Sequence, residues 1–387
     1  MVTRDEERAM DQVLLDKVAT YAHSCYEEEL SVLRTLCRIP SPSHHEERRA
    51  AFIQTWLRQQ GATDVHVDDA NNVICLLGNT EAENLSVFAA HTDVVFDDTD
   101  DLPLVERDGK LYAPGVGDDT ANLVGLLMAT KYLLDHPDEL PADKGLLVVA
   151  NSCEEGLGNL RGTRALFDAY GQRISAFTSF DLYLPQCVST AVGSHRYRIT
   201  VRTKGGHSYR DFGQPNAIAC LAALIGDLYT VDVPDASTTY NVGAIEGGTT
   251  VNSIAAHASA LYEYRSTSDR SLATMHETLL ATIDRHRAHD VQIDLETIGI
   301  RPGNGPVSPR ALRELTQRSL DIIRSVTGQE PDQSPASTDA NIPLSLGIPA
   351  NTVGAVTGAL LHTRDEWIEA ESLIPGLMVI LASMLTA

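Results

Sequence analysis

Short apolar runs alternate with helical spacing along the first half of the chain. Residues 11–60 carry the 3.6-residue spacing of an amphipathic helix, interrupted at Pro40 to Pro42 and resumed from about His45 to Gln60. Beyond it come apolar runs at Asn72 to Leu77, Leu85 to His91, Gly145 to Ser152 and Ala176 to Leu184, separated by helical stretches at Thr120 to Leu134 and Thr163 to Tyr170. Nearly continuous Val, Leu and Ala runs between helices predict an α/β sheet covered on both faces. From about Gly193 to Gly305 the pattern changes. Strand (Tyr197 to Thr203), helix (Asn216 to Leu228), two strands (Thr239 to Ile245, Ala256 to Arg265), helix (Ser271 to His286) and strand (Val291 to Thr297) follow the ferredoxin-like βαββαβ order. After the turn-rich Arg301 to Pro309 segment, helices at Pro309 to Thr327 and Glu371 to Leu385 resume the first character. The expected organisation is one α/β domain, residues 1–192 and 306–387, interrupted by an inserted α+β domain at 193–305.

Composition narrows the function classes. Of 387 residues, 53 are Asp or Glu and 30 Lys or Arg, a formal net charge of -23. A chain so negative is repelled by nucleic acid and by anionic membranes. No stretch approaches the ~20 apolar residues that cross a bilayer. The amino-terminal MVTRDEERAM is charged and helix-like, without the apolar core of a secretory signal. The six cysteines, Cys25, Cys37, Cys75, Cys153, Cys187 and Cys220, are scattered with no C-x-x-C, which predicts packed thiols in a reducing, cytoplasmic setting rather than disulfides or a thiolate metal site.

Chemistry concentrates where predicted strands end, the place α/β proteins use for ligands. The strand LSVFAAHTDVV delivers His91 and, two residues on, Asp93 on the same side; a structural histidine fits the same pattern. The turn YAPGVGDDTANLVG presents Asp118 and Asp119 before a helix. One of them could simply cap that helix, but adjacent carboxylates at a glycine-rich bend call for a counter-ion, which a divalent cation supplies. The strand LLVVANSCEEGLGNLRG ends in Glu154 and Glu155, a pairing suited to one metal ligand and one free carboxylate that accepts a proton from water. AFTSFDLYL contains Asp181, and GALLHTRDEW adds His362.

In this order (H-x-D, G-x-G-D-D, E-E-G, strand-Asp, then G-G-H-S, N-S-I-(x)10-R and H-x-x-x-E) the motifs resemble the M20 family of co-catalytic zinc metallopeptidases and amidohydrolases, most of all its peptidase T (aminotripeptidase) branch. The likeness runs from about residue 30 to the C-terminus. It implies a mixed-sheet zinc-peptidase catalytic domain with an inserted lid and dimerisation domain, and two Zn²⁺ per chain, with Mn²⁺ or Co²⁺ compatible with the same oxygen and nitrogen donors. On this resemblance Asp118 bridges the metals, with Asp119 following across a cis peptide. His91 and Asp181 complete one site, and Glu155 and His362 the other. Glu154 is the general base, and Asp93 accepts the distal N–H of His91. His207, in TKGGHSY, matches a histidine that relatives send across a dimer interface to the substrate carbonyl; without the resemblance it reads as a solvated loop histidine. Asn252 and Arg265 match residues that bind substrate, although Arg265 beside Glu263 also reads as a surface ion pair. Ser337, Asp339 and Asn341 resemble a stretch beside the cleft in which Asp339 supports the site, and Gly354 is expected to let backbone approach substrate.

One departure stands out. Where many relatives carry lysine after the aspartate pair, this chain has Thr120 followed by Ala121. The expected activity is hydrolysis of short peptides by a homodimer. Deacylation of N-acyl amino acids is the alternative on the same machinery, and a silent peptide- or metabolite-binding member the alternative outside enzymes.

Overall fold

The computed structural model describes residues 11–140 and 144–387; the amino-terminal decapeptide expected to be helix-like lies outside them. In chain order the elements are α1 (Gln12–Leu36), α2 (Glu47–Gln59), β1 (Val65–Val67), β2 (Val73–Gly78), β3 (Leu85–His91), β4 (Val105–Arg107), β5 (Lys110–Tyr112), α3 (Ala121–Asp135), β6 (Gly145–Asn151), α4 (Arg161–Tyr170), β7 (Ile174–Phe180) and β8 (Cys187–Val188). Next come β9 (Gly193–Arg202), β10 (Gly206–His207), α5 (Ala217–Leu228), β11 (Thr239–Gly247), β12 (Ser253–Ile254), β13 (His257–Ser266), α6 (Asp269–His286) and β14 (Gln292–Arg301). The chain ends with α7 (Pro309–Thr327), α8 (Asn341–Ser345), β15 (Ala350–Val353), β16 (Gly358–Ala359), β17 (Trp367–Glu369) and α9 (Leu373–Leu385). It divides into two compact units, 1–191 with 305–387, and 192–304.

The first unit is a layered mixed α/β structure. Its seven-stranded sheet has the order β1-β2-β6-β3-β7-β15-β8. The middle four strands run parallel, and β1, β2 and β8 add antiparallel edges. Alternation within the apolar runs builds a core on each face. Phe88, Ala90, Leu146 and Val148 join one cluster with Leu33 of α1, Leu126 of α3 and Ile380 of α9. Val87, Ala89, Leu147 and Val149 join the other with Leu166 and Phe167 of α4 and Ile342 of α8. Parallel alignment brings the carboxyl ends of β3, β6 and β7 to one edge of the sheet, and the acidic motifs leave from there. A small sheet, β16-β17-β5-β4, has no counterpart in the sequence reading. Its strands of two or three residues are too short to show a period.

The second unit is α+β. Its antiparallel sheet has the order β11-β13-β9-β14, the arrangement a βαββαβ chain adopts in ferredoxin-like folds. Ile199, Val201, Tyr262 and Tyr264 pack with Leu221 and Leu224 of α5 and Leu272 and Met275 of α6. All six cysteines are unpaired thiols, five of them buried.

Candidate active site

The turn before α3 is forced by packing. Gly115 has φ +69°, and a Cβ there would lie 2.3 Å from Val94 Cγ1; one at Gly117 would lie 2.5 Å from the Tyr183 ring. The Asp118–Asp119 peptide is cis. The turn is gripped by Glu366, whose carboxylate accepts the backbone N–H groups of Gly115 (3.0 Å), Gly117 (2.8 Å) and Asp118 (2.8 Å) and the Tyr183 hydroxyl (3.2 Å). Burial raises the Glu366 carboxyl to about 7, the three backbone donors notwithstanding.

Around the turn, residues distant in sequence converge. His91 Nε2 is 2.9 Å from Asp118 Oδ1, and His362 Nε2 is 3.0 Å from Asp118 Oδ2 and 3.3 Å from Glu155 Oε1. Three groups have donor atoms within 4.8 Å of one another: His91, Asp118 and Asp181; Asp118, Glu155 and His362; and His91, Glu154 and Glu155. Asp118 thus belongs to two of them, between the pair His91 and Asp181 and the pair Glu155 and His362. All but the half-exposed His362 are buried.

Electrostatics shows what such crowding costs without a further cation. Burial, then the Asp118 charge, lifts Asp181 to about 7 and raises Glu155. Burial also pushes Asp119 well up. Asp118 goes the other way: burial disfavours its charge, but hydrogen bonds from His362 and His91 hold it below the ordinary carboxylate range. His362 is raised to about 11, chiefly by Asp118 and then Glu155. The imidazole protons are therefore balancing carboxylates. The donors fit divalent cations: they are all nitrogen and oxygen and include no thiol. The residues that would hold the metals are His91, Asp118, Asp181, Glu155 and His362.

Other expected residues are placed differently. His91 Nδ1 lies 3.0 Å from the Asp93 backbone oxygen and 3.4 Å from its Oδ1, so the main chain is the nearer partner. The Asp93 carboxylate accepts the backbone N–H groups of Glu154 (3.0 Å) and Glu155 (2.9 Å) and the Ser43 hydroxyl (2.6 Å). It fixes where the glutamate pair leaves β6. Asp339, expected to support the site from a stretch beside the cleft, is wholly buried; it receives the Thr163 hydroxyl and the Asn151 amide and braces the end of β6. A Cβ at Gly354 would lie 2.2 Å from the Tyr183 carbonyl oxygen, so its missing side chain admits the backbone of the loop between β7 and β8. Ser337 is half-buried, two residues before Asp339.

In the second unit, His207 and Asn252 are neighbours. His207 pairs with Ser253 across β10 and β12, and the Ser208 N–H donates to the Asn252 carbonyl at 3.1 Å. Both residues are exposed. Arg265 is elsewhere: it sits near the far end of β13, roughly 26 Å along the strand at ~3.3 Å per residue, and its guanidinium forks onto Glu263 at 3.2 Å. The sequence reading did not assign Glu366, although H-x-x-x-E contains it, nor Arg49, which looks like one more charge on a polar helix face.

Comparison with known proteins agrees with this geometry. The model of peptidase family M20/M25/M40 matches residues 87–386. A succinyl-diaminopimelate desuccinylase of Corynebacterium glutamicum is 26% identical over 360 residues, 89% of this chain and 93% of that protein. Among solved structures, a tripeptidase from Staphylococcus aureus superimposes with a TM-score of 0.73 at 20% identity, covering 94% of this chain and 99% of that one. An aminopeptidase from Bacillus cereus gives 0.69 at 22% identity with the same coverage.

Proposed function

The chain belongs to peptidase family M20/M25/M40, and on that premise we propose that it is a two-metal hydrolase of amide bonds in short peptides. The observation that carries the proposal is the position of Asp118 within donor-atom distance of both His91 with Asp181 and Glu155 with His362. Two divalent cations held there would polarise the scissile carbonyl and acidify a water. Glu154 is the general base: its carboxylate takes the proton from the attacking water and delivers it to the leaving amine. Asp93 aims it by holding its backbone N–H, and Glu366 keeps the Asp118 turn from relaxing. His207 and Asn252 act as a pair on the substrate carbonyl and backbone. The proposal is completed by a homodimer in which His207 and Asn252 serve the partner's site. The setting proposed is cytoplasmic; among the described residues no helix is long and apolar enough to cross a membrane.

The second reading is deacylation of an N-acyl amino acid. It is favoured by the desuccinylase relative, matched over 89% of this chain. Zinc content by elemental analysis, activity after chelation and zinc readdition, and a panel of free-amino di- and tripeptides against N-succinyl and N-acetyl amino acids test both. Two zinc ions per chain with peptide turnover support the first reading. Turnover confined to acylated substrates replaces it with the second, and full activity in metal-stripped protein overturns both.

A further inference from the structure

Arg49, on α2, is among the largest side chains with no solvent exposure. Its Nε donates to the Ile39 carbonyl at 2.9 Å, and its Nη1 donates to the Thr92 carbonyl at 2.9 Å and to Thr120 Oγ1 at 3.2 Å. Thr92 lies between His91 and Asp93, and Thr120 follows Asp118 and Asp119. The Thr120 hydroxyl itself donates to the Gly115 carbonyl at 2.6 Å. One guanidinium therefore ties together the two segments that carry four of the site's side chains. Its Nη2 is buried without a hydrogen bond.

Burying a cation costs several kcal/mol unless opposite charge repays it, and an unsatisfied donor adds to the cost. Space-filling alone would be served better by methionine or leucine. Burial lowers the guanidinium to about 10, and the charges of nearby groups, Cys37 first and then Asp93 and Asp119, offset only part of that cost. Arginine stays charged even in such surroundings. Asp93, Asp118, Asp119, Glu154, Glu155 and Asp181 are all buried in this region. Their counter-charges fall into two kinds: exchangeable ones, the imidazole protons and metal ions, and one fixed charge.

Resting on the two-metal reading above, we infer that Arg49 is a positioning residue that acts as a permanent counter-charge beneath the site, bracing the end of β3 and the Asp118–Thr120 turn before metal arrives. It reaches the turn at Thr120. A fixed positive charge stabilises the metal-free protein more than the loaded one. By linkage, it also weakens the binding of a divalent cation.

The test compares Arg49→Lys, which keeps the charge and loses the planar fork, with the neutral Arg49→Gln and Arg49→Met. Thermal midpoints are measured on chelator-stripped and zinc-loaded protein, and zinc affinity by competition with a chelating dye. The expected result is that both neutral variants lose more stability stripped than loaded and bind zinc on the order of ten-fold more tightly than Arg49→Lys, whose gap between stripped and loaded midpoints stays that of the wild type. Equal losses in both states, with the same zinc affinity in Lys, Gln and Met variants, would reduce Arg49 to packing and overturn the inference. A neutral variant that folds only with zinc is the extreme form of the expected result. If neither neutral variant folds at all, Arg49→Lys decides: zinc affinity within about three-fold of wild type supports a charge role, and a change of ten-fold or more overturns it. Wild-type protein that takes up no zinc would overturn the two-metal reading as well.

Discussion

Replacing Glu29 with methionine should stabilise the protein by an amount that grows with pH. Glu29 lies on α1 with no solvent exposure, and neither carboxylate oxygen has a hydrogen-bond partner. Its surroundings are the apolar packing of α1, α3 and α9; a Cβ at Gly125 would lie 3.8 Å from its Oε1 and 2.6 Å from Ile380. Burial lifts the carboxyl from 4.5 to about 8. The folded state therefore holds the proton more tightly than the unfolded chain, and stability falls as pH rises through this window. At about 1.4 kcal/mol per unit, ionisation costs the fold about 3 kcal/mol at pH 7 and about 5 kcal/mol well above pH 8. Below pH 4.5 that cost vanishes. Methionine has nearly the same length and nothing to ionise. Urea unfolding of zinc-loaded wild type and Glu29→Met at pH 5, 7 and 9 isolates this group, because every other titration cancels in the difference. The gap should widen by about 4 kcal/mol from pH 5 to pH 9. A gap constant over that range would mean that Glu29 is hydrated or paired in solution, and the reasoning would fail.

Three further outcomes follow from the site and its supports. Glu154→Gln should keep its zinc content, by elemental analysis, and lose ~10²- to 10⁴-fold in kcat; unchanged turnover would remove Glu154 from the proton path. Glu366→Gln replaces one carboxylate oxygen by an NH2 group, so at least one of the Gly115, Gly117 and Asp118 N–H groups loses its acceptor, and zinc affinity by dye competition should fall about 10- to 100-fold; wild-type affinity would show that the turn holds its shape without it. Gly376→Ala puts a Cβ 1.7 Å from the Ala355 carbonyl oxygen. Overpacking of about 1–3 kcal/mol or more should exceed the roughly 1 kcal/mol gain in helix propensity, so calorimetry should show a lower melting midpoint, and a higher one would contradict the tight contact.

Legibility in the sequence followed the length scale of each signal. The long apolar runs at 85–91 and 145–152 were readable because a buried parallel strand needs apolar residues on both faces, and β3 and β6 form there. The ends of β3, β6 and β7 were readable for the opposite reason, as charges abruptly terminating such runs. Relations that depend on tertiary contact were not. Asp339 looks like any acidic residue near a cleft until Thr163 and Asn151 are found on its two oxygens. Nothing in the sequence around Gly354 shows that the Tyr183 backbone fills the space a side chain would take there. Arg49 stands in the run Glu46-Glu47-Arg48-Arg49, where only the direction of the helix face separates an exposed charge from a buried one. Arg48 faces solvent and Arg49 does not.

The acidic character of the chain is thus two different things. Most of the surplus is solvated surface, where it governs solubility and repels polyanions. Within the site, six carboxylates are held close together by supports that are not ligands: Glu366 on the Asp118 turn, Asp93 on the Glu154 and Glu155 backbone, and Arg49 across the two segments. Glu366 and Asp93 meet their partners with protein groups alone, whereas Asp181 and Glu155 are raised by burial and the Asp118 charge, and His362 is raised by Asp118 and Glu155. The proposed ligands therefore need positive charge to ionise together. On the two-metal reading proposed above, affinity is set by the balance between exchangeable protons on His91 and His362 and the fixed charge on Arg49.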